Sequence, residues 1–210
     1  MSKITRNLII KSSFEAVKDN LENTNGIILP NSILEEILAK KIENYFFKIT
    51  NKDLGIYTYV SVQEYSADED SVIVPYWIYE YLAASQDTFV EIELEKNIIK
   101  GKKIVLEPQE KDFFKIPESD IILESVLSKF SVLHYGSTIK IDIMDKKYTI
   151  KIADIEHDYS SILTNSGEID NNKMNNINIE AIDIINVDLN VELRDKFLIK
   201  ELEKKKLLEE

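Results

Sequence analysis

The chain has 210 residues, 44% of them hydrophobic, which suits one large or two small packed domains and excludes disorder throughout. Its 38 acidic residues against 26 basic ones give a formal charge of −12. A nucleic-acid partner, which would be held by Lys and Arg displacing counterions, is therefore not expected.

Residues 1–25 hold two apolar patches, Ile4 with Leu8-Ile9-Ile10 and Phe14 with Val17, and end in the polar run Glu22-Asn23-Thr24-Asn25. They predict an opening strand and a loop. From Gly26 the chain carries a pattern that returns 45 positions later without a gap. Gly26-Ile27-Ile28-Leu29-Pro30 is echoed by Ser71-Val72-Ile73-Val74-Pro75. Each copy reads as a short buried strand, and each proline suits the first turn of a following helix, where its fixed φ fits and its missing N–H costs nothing. In the first helix Ile33, Leu34, Ile37 and Leu38 share a face, and in the second Ile78, Tyr81 and Leu82 do. Tyr45, Phe47 and Ile49 then alternate with polar residues, as do Val90, Ile92 and Leu94 at the same offset. Two strand-helix-strand copies are too few for a solenoid, which needs about 3 repeats, and predict a closed pseudo-twofold barrel.

Between and after the copies, Asn51-Lys52-Asp53-Leu54-Gly55 reads as a turn, Tyr57 to Val62 as a strand and Asp68-Glu69-Asp70 as a second turn. Lys100-Gly101-Lys102 is expected to close a hairpin between Val90 to Leu94 and Ile104 to Leu106, ending the barrel near Pro108. The division predicted is a barrel over 1–112, an α+β unit over 113–193 and a charged tail over 194–210. In the second unit Ser119 or Asp120 can cap a helix with Ile122, Leu123, Val126, Leu127 and Phe130 at helical spacing. Ile139, Ile141 and Ile143, a turn at Asp145-Lys146-Lys147, and Tyr148, Ile150 and Ile152 predict a hairpin. Residues 158–178, with Asn171, Asn172, Asn175 and Asn176 clustered, read as a flexible surface insertion. Ile185, Val187, Leu189, Val191 and Leu193 alternate with polar residues and predict one long strand. The tail offers a weak helical stripe of Leu198, Ile199, Leu202 and Leu207-Leu208.

Few residues suggest chemistry. The five glycines are scattered singly at predicted turns, so no phosphate-binding loop is present. No cysteine is present, which excludes disulfides and thiolate catalysis, and His134 and His157 alone are too few for an all-nitrogen zinc site. No cofactor is expected. Glu156-His157-Asp158 are consecutive at a strand end and so cannot all face one ligand. The helix from Tyr76 to Tyr81 is more informative. With Ile78 and Leu82 turned to the core, Tyr76 and Tyr79 can border a protein-binding surface, since tyrosine suits sites that are apolar at one end and wet at the other. No run of about 18 apolar residues marks a membrane span, and Met1 to Leu8 lacks the apolar core of a secretory signal. The expected setting is cytoplasm and/or nucleus.

Several stretches resemble the ubiquitin fusion degradation protein family: Phe46-Phe47-Lys48-Ile49-Thr50-Asn51, Glu64-Tyr65-Ser66-Ala67-Asp68-Glu69, Pro75-Tyr76-Trp77-Ile78 and Pro108-Gln109. Leu123-Glu124, Phe130-Ser131-Val132-Leu133, Gly136, Tyr148 and the block from Ala181 to Leu193 continue the likeness. The resemblance implies a double-psi β-barrel followed by a smaller α/β subdomain. It further implies a non-catalytic adaptor that binds ubiquitin or polyubiquitin, pairs with a nuclear protein localization protein 4-like partner and delivers ubiquitinated clients to a hexameric AAA+ unfoldase. The family's Phe- and Gly-containing segment for the ATPase has no counterpart from Arg194 to Glu210. Two other readings are carried forward: a client-binding module akin to an AAA+ amino-terminal domain and independent of ubiquitin, and an enzyme on a related barrel using Asp68, Glu69 and His157.

Overall fold

The computed structural model describes residues 3–164 and 166–209. Its first half runs β1 (Thr5–Ser12), β2 (Gly26–Pro30), α1 (Asn31–Ala39), β3 (Phe46–Asn51), β4 (Ile56–Ala67), β5 (Ser71–Val74), α2 (Tyr76–Tyr81) and β6 (Phe89–Glu95). The six strands close a barrel in the order β1-β5-β2-β4-β3-β6. Residues 45 apart face each other in two places, Ile28 against Ile73 and Lys48 against Glu93, so the pseudo-twofold axis passes through both pairs. The parallel pairings of β1 with β5 and β2 with β4 complete the double-psi barrel. Pro30 and Pro75 stand one residue earlier than expected, at the helix N-caps in extended conformation. Ile33, Ile37, Ile78 and Leu82 are buried as predicted, whereas Leu38 is 65% exposed and Trp77 takes a core place that the reading did not assign.

The second half consists of β7 (Gly101–Pro108), α3 (Ser119–Leu127), β8 (Val132–His134), β9 (Thr138–Ile143), β10 (Lys146–His157), α4 (Asn171–Met174), β11 (Ala181–Asp183), β12 (Asn190–Leu193) and α5 (Lys196–Glu209). Four strands form a sheet in the order β12-β7-β10-β9, and β11 pairs with β8. The predicted hairpin between β6 and β7 is absent. β6 already lies between β1 and β3 and has no free edge, so β7 must pair elsewhere, and it does so with β10 and β12. The barrel strands therefore end at Glu95, and residues 101–108 pair in the second sheet. Gly101 lets β7 pass close beneath a neighbour, since a Cβ there would stand 2.7 Å from Ile182 Cδ1.

Other expectations shift locally. The β9–β10 turn is Met144-Asp145, both left-handed at φ 50 and 60, the two-residue turn whose twist matches its strands. Glu118, in left-handed conformation, precedes α3 without a side-chain cap. The single strand expected from Ile185 to Leu193 is broken, because Asp183 accepts the Ile185 N–H (2.8 Å) and Asn186 turns left-handed (φ 51). The chain thereby passes from one sheet to the other. Residues 158–178 carry a 3-10 turn at Tyr159–Ile162 and α4, which is capped by the Asp170 carboxylate. The side chains of Asp120, Leu207 and Leu208, named in the expectations above, lie outside the described residues.

The two halves meet on β3 and β4. Phe47 and Val60 point into the barrel core, while Phe46 and Tyr59 point outward and pack with Ile98, Val132 and Ala181. Asn25, 2% exposed, bonds across this junction: its Nδ2 donates to the Val132 carbonyl (2.5 Å) and its Oδ1 accepts the Ser131 N–H (3.0 Å). Beside it the His134 ring stacks on Tyr57 (5.5 Å) and meets the edge of Tyr59 (5.4 Å). Neither His134 ring nitrogen has a partner among the described residues, and burial pushes its pKa down to about 4. Both tyrosine hydroxyls donate to Glu180 Oε2, at 3.1 and 3.2 Å, and Lys48 Nζ lies 3.8 Å above the Tyr57 ring.

Replacing Asn25 by Ala strands a buried carbonyl and a buried N–H. We expect a loss of about 2–3 kcal/mol in denaturant unfolding, against under about 0.5 kcal/mol for Asn7→Ala on the exposed side of β1. His134 gives a pH signature. The unfolded ring titrates near 6.5 and the folded ring near 4, so the unfolded state takes up the proton first as pH falls. Stability from this group is full above pH 6.5 and declines toward pH 4, by up to about 3 kcal/mol. Unfolding midpoints measured across that window should flatten in His134→Phe.

Candidate protein-binding surface

The surface around α2 is built from the loop that follows β1. Ser12 and Glu15 bond reciprocally, the Ser12 N–H to Glu15 Oε2 (3.1 Å) and the Glu15 N–H to Ser12 Oγ (3.3 Å), which turns the chain tightly after the strand. Glu22 then ties the loop to the helix, accepting from the Ser13 hydroxyl and from the Tyr76 N–H (2.8 Å). Trp77 Nε1 donates to the Thr24 carbonyl (2.9 Å), so both ends of the loop are fixed against α2.

Tyr76 and Tyr79 are three apart and share one helix face. Their rings stack with centroids 6.3 Å apart and an angle of 13° between planes. The loop sets Phe14 against Tyr76, with centroids at 5.0 Å. Phe14 is 51% exposed and the two tyrosines are half-buried, so three aromatic rings form a row that is packed beneath and open above. The exposed Glu15 and Asp87 border it. The Tyr79 hydroxyl is pushed above the ordinary phenol range by its burial and, further, by the charges of Glu15, Tyr76 and Asp87. The arrangement offers an apolar strip with an acidic edge. Sequence reading found Tyr76 and Tyr79 because the helical period turned them from the core. It missed Phe14, which it grouped with Val17 as an apolar patch, and the reciprocal Ser12 and Glu15 spacing was the available signal that a turn would expose the ring.

The residues considered for catalysis are dispersed. Lys11 pairs with Asp68 (3.0 Å) and the Ser32 hydroxyl donates to Glu69 (2.5 Å), on the turn after β4. His157 Nε2 lies 3.0 Å from the Ala181 carbonyl, at the end of β10 in the second half. Its neighbours have separate partners, Glu156 with Lys102 (2.6 Å) and Asp158 with the Ser160 N–H (2.9 Å). Asp68 and Glu69 are thus not brought together with His157. No group of carboxylates and histidines suited to a metal ion occurs among the described residues, and no helix there is long and apolar enough to cross a membrane.

Comparison with known proteins bears on this fold directly. Residues 6–108 match "Ubiquitin fusion degradation protein UFD1, N-terminal subdomain 1", and residues 100–196 match "N-terminal subdomain 2" of the same protein. The two matches overlap on β7, the strand that follows the barrel in sequence and pairs in the second sheet. Ubiquitin fusion degradation protein 1 of Saccharomyces cerevisiae is 32% identical over 145 residues, 69% of this chain and 40% of that protein. Ubiquitin recognition factor in ER-associated degradation protein 1 of Mus musculus is 28% identical over 142 residues, 67% of this chain and 46% of that protein. The ubiquitin fusion degradation protein 1 homolog of Dictyostelium discoideum is 28% identical over 140 residues, 66% of this chain and 42% of that protein. The chain thus spans less than half the length of these relatives. With both amino-terminal subdomains matched in order on a barrel followed by an α/β unit, the chain belongs to the ubiquitin fusion degradation protein UFD1 family.

Proposed function

We propose that this chain is a non-catalytic adaptor in ubiquitin-dependent protein degradation, including degradation from the endoplasmic reticulum. It binds ubiquitin or polyubiquitin and helps deliver the attached proteins to a hexameric AAA+ unfoldase, together with a nuclear protein localization protein 4-like partner, in the cytoplasm and/or nucleus. The observation that carries this reading is the ordered match of both family subdomains over residues 6–196. The names of the relatives, which speak of ubiquitin fusion degradation and of ubiquitin recognition in ER-associated degradation, support it.

The row Phe14, Tyr76 and Tyr79 is the surface we assign to ubiquitin. Ubiquitin presents an apolar patch with a basic border, and the aromatic strip with Glu15 and Asp87 at its edge is complementary to it in both respects. Aromatic rings held from below lose little freedom on binding, which favours them as anchors.

Calorimetric titration of the chain with mono-ubiquitin and with tetra-ubiquitin tests both statements. Saturable binding is expected, weakened about 5- to 30-fold by Phe14→Ala and by Tyr76→Ala, and unchanged by Met144→Ala on the exposed β9–β10 turn. Binding that survives both aromatic substitutions would move the contact elsewhere on the molecule. No binding of either species at millimolar concentration would end the ubiquitin reading and leave a ubiquitin-independent client-binding module in its place.

A further inference from the structure

The break in the strand at Asn186 leaves a groove of about 630 Å³ that the functions above do not use. One wall is the carboxyl end of α3 and the residues after it, with Leu127 and Phe130 facing in. The other is the segment from Ile184 to Val191, which turns at Ile185-Asn186 and then runs on into β12. Within that segment Val187, Leu189 and Val191 are half-buried and packed on the core, while Asn186, Asp188 and Asn190 are exposed. β12 is the outermost strand of its sheet, with β7 on one side only. The backbone N–H groups of Asn186, Val187, Asp188 and Leu189 find no acceptor among the described residues.

An unpaired strand edge beside a helix is the setting in which an extended peptide adds as a further strand, its backbone bonding to the edge and its alternate side chains entering the groove. The charge here selects the peptide. Among the described residues Glu124 and Asp188 are the only charged ones lining the groove, and neither has an ion-pair partner there. The carboxyl end of α3 adds the negative pole of a helix. We propose that the edge from Val187 to Leu193 binds an extended segment of a partner protein in which apolar residues alternate with Lys or Arg. The aromatic row on α2 is a separate surface, so this site does not depend on ubiquitin recognition.

The test uses the full, isotope-labelled chain and an acetylated, amidated nine-residue peptide alternating valine with lysine and threonine. Amide shifts are expected on residues 186–193 and on the groove wall at 124–131, with slowed exchange of the alternate amides of Val187 and Leu189. Two versions of the peptide, N-methylated on its odd or on its even nitrogens, should separate, because only one edge of the added strand faces β12; one binds and the other does not. A version with glutamate in place of lysine should bind about tenfold more weakly. The order should reverse on Glu124→Lys combined with Asp188→Lys, two exposed changes whose folding is checked by the undisturbed amide spectrum elsewhere. Equal behaviour of the two methylated peptides, or no shifts at millimolar peptide, would overturn the proposal. Shifts at the same amides on concentrating the chain alone, with dimer in sedimentation velocity, would give the edge to a second copy and overturn it as well.

Discussion

Phe46 and Phe47 are neighbours on one strand, and a strand sends neighbours to opposite faces. Both are buried, at 6% and 0% exposure, so β3 needs a core on each side. Val60 and Tyr59 make the same demand on β4. The barrel can supply only the inner core. The outer one has to be brought by the second unit, through Val132 of β8 and Ala181 of β11. A barrel of this sequence standing alone would expose Phe46 and Tyr59 to water, at roughly 1.5–3 kcal/mol for each large side chain. The second unit is thus part of what makes the barrel stable.

The junction also explains how polar groups are handled there. Asn25 provides both a donor and an acceptor to backbone that the crossing would otherwise leave unpaired. Trp77, in the barrel half, packs on Phe130 from the second half at 6.1 Å. His134 is tolerated as a neutral ring between two tyrosines whose hydroxyls go to Glu180. Such construction suits the adaptor role proposed above, because surfaces fixed before binding cost little to order when a partner arrives. The aromatic row and the groove beside β12 sit on different elements, so one body can present two faces at once.

Much of this was legible in the sequence where the pattern was local. The 45-residue echo gave the barrel, and the pairs Ile28 with Ile73 and Lys48 with Glu93 show that echo as a symmetry axis. Helical period alone turned Tyr76 and Tyr79 away from the core, where the structure has them half-buried. What failed depended on edges and on distant partners. A hairpin between β6 and β7 looked natural from spacing, but whether a strand has an edge to offer is decided by the whole barrel. The alternation from Ile185 to Leu193 is real, yet it hid a break set by an aspartate two residues upstream, and the groove follows from that break. Phe14 was legible only as part of an apolar patch with Val17, because its place beside Tyr76 depends on a loop closed by Ser12, Glu15 and Glu22.

The central claim is that the two halves form one cooperative body joined through β3 and β4. Urea unfolding of a methyl-labelled chain tests it, with the Ile49 methyl reporting the barrel, the Ile141 methyl the second sheet and Trp77 emission the junction. Three coincident transitions with one midpoint are predicted. A second-sheet signal lost at lower urea while the Ile49 signal stays native would contradict the account and make the halves separable domains.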